Sequence, residues 1–478
     1  MRDLSSASHR ALAPGRSDDG VPTSATSTAP PPRGSRTPAT PPANPPANPP
    51  DDHRAWLDLL AGDGAAGVLA AALAADGAEL ESWTVRQVHA RPGAEVTVAY
   101  EVVARRADAG GTLRATEHLF ASSAPESAFR RARGMGRPGG TLGPGVVRLD
   151  DGGRSLHVWR HPHDPALPGL AAASTPAGVA ERLRAAGVDA DVLALETVTY
   201  RPLRRAVLRA RTTAGTLYVK VVRPSRAADL VRRHALLAGA DGAVAPRVLG
   251  ARGESDDGVV LLTEVPGESV ADLLARTPAA DRATCLDPAE ILRVARGLPV
   301  EGATLPRRAP WADRLDHYLR TLATLHGVDP GRLGRLEARI GAVVDTRDPG
   351  PVVTTHGDLH AANLLLDPAS PGRGRGRPAR VGGLLDVDTL GPGHLVDDLA
   401  CAVAHLAVLP ALAPGAYEGA DGLVARCLDV FGRAADPALL RARAAAVAAS
   451  LAAGADDAAL ADAFLAVAER LAAAASEF

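Results

Sequence analysis

Between Thr355 and Asp388 the chain reads THGDLHAANLLLD, then a Gly/Arg-rich interruption, then RVGGLLDVD. Asp358, Asn363 five positions later, and Asp386 thereby stand at the ends of two apolar runs with strand character. That is the arrangement of a catalytic loop. A carboxylate held there can accept or align the proton of a hydroxyl. An amide oxygen and a second carboxylate are hard ligands, suited to a hard divalent cation. The stretch also spells H-x-D-x-H, at His356, Asp358 and His360, which would chelate a transition metal. Such a site would leave Asn363 and Asp386 without a task, and the further histidines that hydrolases of that kind bring are not evident in the sequence.

Composition gives these positions weight. Of the 53 basic side chains one alone, Lys220, is a lysine, and outside the Pro-rich N-terminal stretch Asn363 is the only asparagine. Where coding drift has removed a residue type, a lone survivor points to a chemical requirement. Lys220 lies 138 residues before Asp358, in the run Thr216-Leu-Tyr-Val-Lys-Val-Val222. On a strand with alternating faces it shares a side with Tyr218 and Val222.

The ordered set H-G-D-x-x-x-x-N, apolar strand, L-L-D and D-L-A, with a strand lysine upstream, resembles the phosphotransferases of the aminoglycoside and choline kinase type, relatives of the protein kinases. The resemblance covers about residues 176–478. It implies an α+β fold of two protein-kinase-like lobes, a small antiparallel-sheet N-lobe and a mainly helical C-lobe. It also implies phosphoryl transfer from ATP with Mg²⁺. In that chemistry Asp358 would align or deprotonate the acceptor hydroxyl, Asn363 and Asp386 would hold Mg²⁺, and Lys220 would meet the nucleotide's phosphates. Thr263, Glu264 and Val265 would form the hinge whose backbone meets adenine. His356 would hold the loop by hydrogen bonds and His360 would approach the substrate. Asp388, on the same strand face as Asp386, would be an auxiliary ligand or a support, and Asp398 would brace the loop from the next helix.

Two departures from the family pattern stand out. The loop that should cover the phosphates, Arg201 to Arg205, has no glycine, so backbone N–H groups approach an anion less closely and Arg204 and Arg205 are expected to supply charge instead. The position 14 residues after Lys220, where a Glu should orient it, is His234. Asp229 and Glu264 are the available substitutes, Asp229 lying about 140° round the helix from His234.

In chain order, residues 1–52 are rich in Pro, Ser, Thr and Ala, with a PPANPPANPP run, and are expected to be a disordered, partly polyproline II tail. It reads as a solubilising extension or a polyproline ligand. Residues 53–172 are expected to form a small α+β domain, with a helical opening over Ala55 to Leu73 and strands such as Glu95 to Tyr100. Its His157, His161 and His163 lack a carboxylate pattern and are interrupted by Pro162, so packing or hydrogen bonding explains them better than a metal. Val88-His-Ala-Arg-Pro92, followed by Gly111-Thr-Leu113, parallels Val198-Thr-Tyr-Arg-Pro202, followed by Gly215-Thr-Leu217, with Thr116 in the place of Lys220. The domain is therefore either a degenerate N-lobe-like repeat or a chance likeness.

Residues 173–265 are the expected N-lobe, with a helix over Ala177 to Ala186. Its strands run over Leu195 to Tyr200, Ala206 to Thr213, Thr216 to Val222, Ala245 to Leu249 and Val259 to Val265. Residues 266–478 are the expected C-lobe, with helices over Ser269 to Arg276, Pro288 to Arg296, Trp311 to His326 and Pro330 to Val344, and Ala-rich helices to the end.

A net charge of −2 gives no reason to expect nucleic acid or an anionic membrane as partner. Three widely spaced cysteines without a CxxC pair argue against disulfides or zinc, and a reducing cytoplasm is expected. The N-terminus has no apolar signal core, and Ala-rich stretches such as Ala444 to Ala453 fall short of the ~20 residues of a membrane span, so no membrane segment is expected. Residues 391–478 hold 11 acidic against 5 basic side chains, either a solvated helical surface or an acidic wall for a cationic substrate.

The expected activity is ATP- and Mg²⁺-dependent transfer to a hydroxyl of a small molecule of aminoglycoside, sugar or amino alcohol type. The alternative is a nucleotide-binding pseudokinase with a regulatory or scaffold role, which the glycine-free loop and His234 favour. A protein kinase fits less well, because D-F-G, A-P-E and an activation segment are missing.

Overall fold

The computed structural model describes residues 50–90, 95–108, 111–132, 145–151, 154–238, 243–250, 256–307, 309–369 and 379–478. The expected tail lies outside the described residues up to position 49, and its last three residues already belong to helix α1 (Pro50–Ala61). The single helix expected over Ala55 to Leu73 is in fact two, α1 and α2 (Ala65–Ala74). The break falls at Gly62-Asp63-Gly64, where two glycines close together make helix continuation costly.

α1 and α2 cover one face of a five-stranded antiparallel sheet. Its strands are β1 (Ala78–His89), β2 (Thr97–Asp108), β3 (Gly111–Ser122), β4 (Val146–Asp151) and β5 (Arg154–Arg160), in the order β1-β2-β3-β5-β4, with α3 (Glu126–Ala132) between β3 and β4. Along β2 every second side chain, Val98, Tyr100, Val102 and Ala104, is buried against Trp56, Leu60, Leu69 and Leu73. That is the two-residue period of a half-buried strand. The opposite face contributes Ala99, Phe120 and Trp159 to a second, smaller cluster.

Short helices α4 (Leu170–Ala173) and α5 (Pro176–Ala185) lead to the N-lobe sheet, β6 (Val192–Arg201), β7 (Arg205–Thr212), β8 (Gly215–Val222) and β9 (Val259–Thr263), antiparallel in that order. Helix α6 (Pro224–Leu237) lies between β8 and β9 in the chain. The strand expected over Ala245 to Leu249 is reduced to an isolated bridge between Val248 and Leu262. Pro246 has no N–H to give to a ladder, and its carbonyl is taken by His234. β9 ends at Thr263, two residues before the expected Val265.

The two sheets share a plan. In each, a hairpin closes on a glycine, Asp108 pairing with Gly111 and Thr212 with Gly215, and Thr116 stands opposite Val103 as Lys220 stands opposite Val207. Arg91 and Pro92 of the sequence parallel lie outside the described residues.

The C-lobe is mainly helical: α7 (Val270–Arg276), α8 (Pro288–Arg296), α9 (Leu315–His326), α10 (Pro330–Val344), α11 (Leu395–Leu412), α12 (Asp421–Gly432), α13 (Pro437–Ala453) and α14 (Ala458–Ala475). Ser269 caps α7 as its sequence suggests, accepting from the Asp272 N–H. The helix expected from Trp311 begins instead as a 3₁₀ turn over Ala312–Arg314 before α9. α13 is buried almost all round, and its many alanines let α11 and α14 approach closely. By length and apolarity α11 could cross a membrane, and two thirds of it is buried within the lobe.

Candidate active site

Strand β10 (Val352–Thr355) delivers the chain to His356, and β13 (Gly391–His394) pairs with it. The loop that follows is fixed from below. Asp398, on α11 and 1% exposed, accepts the backbone N–H of both His356 (2.7 Å) and Gly357 (2.8 Å). His356 Nε2 donates to the Leu385 carbonyl at 2.9 Å, and Thr389 Oγ1 donates to the His356 carbonyl at 2.8 Å. Gly357 has φ +76°, and a Cβ there would sit 2.9 Å from the Thr389 carbonyl oxygen, so this position accepts little but glycine. Leu359, Ala361, Ala362 and Leu364 sink into the C-lobe core and leave Asp358 at the cleft, 4% exposed.

Burial raises the Asp398 carboxyl to about 7 from an ordinary 3.8, outweighing its two N–H donors, with the negative charges of Asp397 and Asp358 adding to the rise. Asp397 itself is ion-paired with Arg443. Below about pH 4 the group is protonated both folded and unfolded. Between there and about 7 the unfolded chain ionises first, so the folded state binds the extra proton and stability falls as pH rises. In unfolding melts at a series of pH values, the stability difference between wild type and Asp398→Asn is expected to shrink from pH 4 to 7 and to level off above.

Asn363 ends a one-turn 3₁₀ helix, Ala361–Asn363. Its Nδ2 donates to the Asp358 carbonyl at 3.0 Å and lies 3.0 Å from His360 Nε2. Its Oδ1 makes no hydrogen bond among the described residues. The two apolar runs are short paired strands, β11 (Leu364–Leu366) and β12 (Val381–Leu384), with Leu364 opposite Leu384. The Leu385 N–H donates to the Asn363 carbonyl at 2.8 Å, which carries Asn363 and Asp386 side by side.

Asp386 adopts the left-handed conformation, φ 52° and ψ 57°, which an Asp tolerates better than most residues. It is followed by a 3₁₀ turn, Val387–Thr389, so the expectation that Asp388 continues a strand face is corrected: a turn brings it round. Both carboxylates then meet two cations. Lys220 Nζ lies 3.0 Å from Asp386 Oδ1 and 2.5 Å from Asp388 Oδ1. Arg205 Nη1 lies 3.2 Å from Asp386 Oδ1 and 3.1 Å from Asp388 Oδ2.

Lys220 is thus oriented by the segment after β12, and not by His234, Asp229 or Glu264. His234 is buried, its Nδ1 2.7 Å from the Pro246 carbonyl, and burial, with Lys220 nearby, lowers its pKa. Asp229 pairs with Arg233, and Glu264 stands at the exposed hinge.

The glycine-free turn is built in a way the sequence did not disclose. Leu203 takes φ +63° and is buried against Phe120, Trp159 and Ala166, side chains of the first sheet and the segment after it. Asp164, 2% exposed, accepts the Leu203 N–H (2.7 Å), the Tyr200 hydroxyl (2.8 Å) and the Ala166 N–H (2.8 Å). Arg223 Nε donates to the Leu203 carbonyl at 2.7 Å. Arg204 turns to Glu95 of the first domain at 3.7 Å, away from the carboxylate pair that Arg205 joins. No motif marks Asp164, Leu203 or Arg223, because their roles come from contacts between distant segments.

At the hinge, the Thr263 N–H donates to the Arg247 carbonyl and its Oγ1 accepts the Arg247 N–H, both at 2.9 Å. The backbone groups of Glu264 and Val265 make no hydrogen bond among the described residues. The Thr263 to Val265 segment, the turn, the ion cluster and the Asp358 loop line one cleft of about 1730 Å³, larger than the ~300–1,000 Å³ of a typical single-ligand pocket. Its far wall includes Arg86, Glu101 and His118 of the first sheet.

His356 and His360 do not form the metal cluster that H-x-D-x-H suggested. Among the described residues, the side chains close enough to share an ion there are Asp358, Cys401 and His405, all buried. The His405 ring stacks on His360 at 4.4 Å, and burial holds its pKa well below the usual histidine value. In the first domain His157 Nδ1 donates to the Ala124 carbonyl and His161 packs beside Tyr200 and Phe120.

Several solved structures are similar to this chain. An aminoglycoside phosphotransferase, APH(3'')-Id from Streptomyces rimosus, aligns over 60% of this chain and 96% of its own at 22% identity, with a TM-score of 0.38. Macrolide 2'-phosphotransferase MphH from Brachybacterium faecium aligns over 60% and 97% at 21% identity, with a TM-score of 0.34. A thermostable variant of aminoglycoside phosphotransferase APH(4)-Ia, in a ternary complex with ADP and hygromycin B, aligns over 64% and 98% at 14% identity, with a TM-score of 0.41. No curated protein matches the chain by sequence. The sequence profile of the phosphotransferase enzyme family (APH) matches residues 203–452, more than half of the chain, from the turn through the ion cluster to the end of α13. The chain belongs to that phosphotransferase family.

Proposed function

We propose that the protein transfers the γ-phosphoryl group of ATP, with Mg²⁺, to a hydroxyl of a small molecule of aminoglycoside, sugar or amino alcohol type. The observation that carries this reading is the convergence of Asp358, Asn363, Asp386 and Lys220, distant in sequence, on one cleft with an open hinge at its edge. Phosphoryl transfer asks for little covalent chemistry from protein, and needs positioned charge and an oriented acceptor. Asp358 takes or aligns the hydroxyl proton. Lys220 and Arg205 turn to the phosphates, and the backbone of Glu264 and Val265, beside Thr263, meets the base.

The donor set fits Mg²⁺. Asn363 Oδ1 is uncommitted while its Nδ2 is tied down, and Asp386 follows the residue whose N–H the Asn363 carbonyl accepts, so the two offer one neutral and one anionic hard oxygen. Held there, Mg²⁺ would supply charge neutralisation on the phosphates. Asp388 supports Asp386 through their shared cations, and Asp398 and His356 keep the loop in place.

The C-lobe wall of the cleft carries Glu268, Asp272, Asp456 and Asp457, and its described lining contains no Lys or Arg, which supports a cationic acceptor. In the same reading residues 53–172 are a small α+β domain, either a degenerate N-lobe-like repeat or a chance likeness to one, residues 173–265 the N-lobe and residues 266–478 the C-lobe. Cys285, Cys401 and Cys427 form no disulfide among the described residues, in keeping with a reducing cytoplasm.

The test is calorimetry with Mg-ATP, followed by phosphate incorporation into pooled aminoglycosides, sugars and amino alcohols. Saturable Mg-ATP binding with transfer to one acceptor class is the expected result, and no nucleotide affinity would overturn the reading. Tight binding without turnover on any pool would favour the pseudokinase alternative, whose structural support is the occupation of Asp386 by Arg205.

A further inference from the structure

The cation pair on Asp386 and Asp388 has a built-in asymmetry. Lys220 comes from a strand interior, 5% exposed, whereas Arg205 is the first residue of β7, directly after the turn pinned by Asp164 and Leu203. Arg205 spends a single nitrogen, Nη1, on three carboxylate oxygens, Asp386 Oδ1 and Oδ2 at 3.2 Å and Asp388 Oδ2 at 3.1 Å. Its Nε is buried and has no hydrogen-bond partner among the described residues. A buried cationic N–H without an acceptor is unfavourable, and marks a place where an arriving anion would be welcome. The cluster including Arg205 sets two carboxylates against one ammonium and one guanidinium.

We propose that Arg205 is a resident counter-cation for the Asp386/Asp388 pair, so that a divalent metal enters this site only together with the phosphates that draw Arg205 off. This rests on the phosphotransferase reading above and adds a coupling rule to it. Without nucleotide, a metal at Asp386 would face two fixed cations within a few ångströms. With nucleotide, phosphate oxygens accept from Arg205 Nε and Nη and from Lys220, and the carboxylates are released to the metal. The turn makes the exchange local, because Leu203 is fixed on both sides, through Asp164 and Arg223, and only the arginine side chain has to swing. Arg205 is a positioning residue in this scheme: it sets the order in which the site fills.

The experiment measures Mn²⁺ binding by electron paramagnetic resonance in the full-length protein, with and without ADP. In wild type, Mn²⁺ affinity is expected to be weak alone and to rise strongly with ADP. Arg205→Gln is expected to raise nucleotide-free Mn²⁺ affinity by about tenfold, the size of one like-charge repulsion in a partly exposed site, and to shrink the gain from ADP. Arg205→Lys, which keeps the charge, is expected to stay near wild type without nucleotide. Arg209→Gln, on the same strand and paired with Glu196, is expected to leave nucleotide-free Mn²⁺ affinity unchanged.

Unchanged nucleotide-free affinity in Arg205→Gln, with wild type still binding Mn²⁺-ADP, would overturn the coupling role alone. An equal rise in Arg205→Lys would also overturn it, because the effect would then come from packing. Wild type that binds no Mn²⁺ even with ADP would overturn the phosphotransferase reading and the coupling role together.

Discussion

Asp358→Asn is expected to lower kcat for phosphoryl transfer by on the order of 10³-fold, the middle of the range a positioned proton acceptor contributes. Nucleotide and metal affinities should change little. The substitution is isosteric and sits in a loop whose geometry depends on backbone groups: the Asp358 carbonyl still accepts from Asn363, and Asp398 still holds the two N–H groups before it. A spectroscopic check accompanies the kinetics. The Asp358 charge helps raise the Asp398 carboxyl, so its removal should lower the Asp398 pKa from about 7, readable by carboxyl NMR. A variant that keeps most of its kcat would take Asp358 out of the chemistry.

Asp386→Asn should split the two parts of nucleotide binding. In the presence of Mg²⁺, ATP affinity is expected to fall by roughly 10², because a hard anionic ligand has become neutral. Without metal, ADP affinity should stay the same or improve, since Lys220 and Arg205 are left with Asp388 as their shared partner and turn more readily to phosphate. Asn tolerates the left-handed backbone of this position, so the fold should be kept. Calorimetry with Mg-ATP and with ADP in chelator distinguishes the two effects. A parallel loss of both affinities would point to a damaged cluster and against a metal-ligand role.

Local pattern makes much of this site legible in the sequence. The strands flanking the Asp358 loop follow from apolar runs, and the cap of α7 follows from Ser269 directly before the helix. Lys220 on its strand follows from alternation and from being the one lysine. Legibility ends where tertiary geometry overrides local pattern. Alternation puts Asp388 on the strand face of Asp386, but the left-handed backbone of Asp386 starts a turn instead. Apolarity favours a strand over Ala245 to Leu249, but Pro246 removes its ladder donor. Proximity in the chain points to α6 and the hinge for a partner to Lys220, while its partners come from more than 160 residues away.

The sequence by itself determined the candidate reactive groups, their order and the class of fold that must bring them together, because the spacing H-G-D-x-x-x-x-N and the strand lysine are local facts. Only the tertiary structure decided what each group faces. It put Arg205 with Asp386 and Asp388 and sent Arg204 to Glu95. It fastened the glycine-free turn to Asp164 and made the first sheet a wall of the cleft. Contacts of this kind depend on register and packing between segments far apart in the chain, and one-dimensional pattern carries no distance between them.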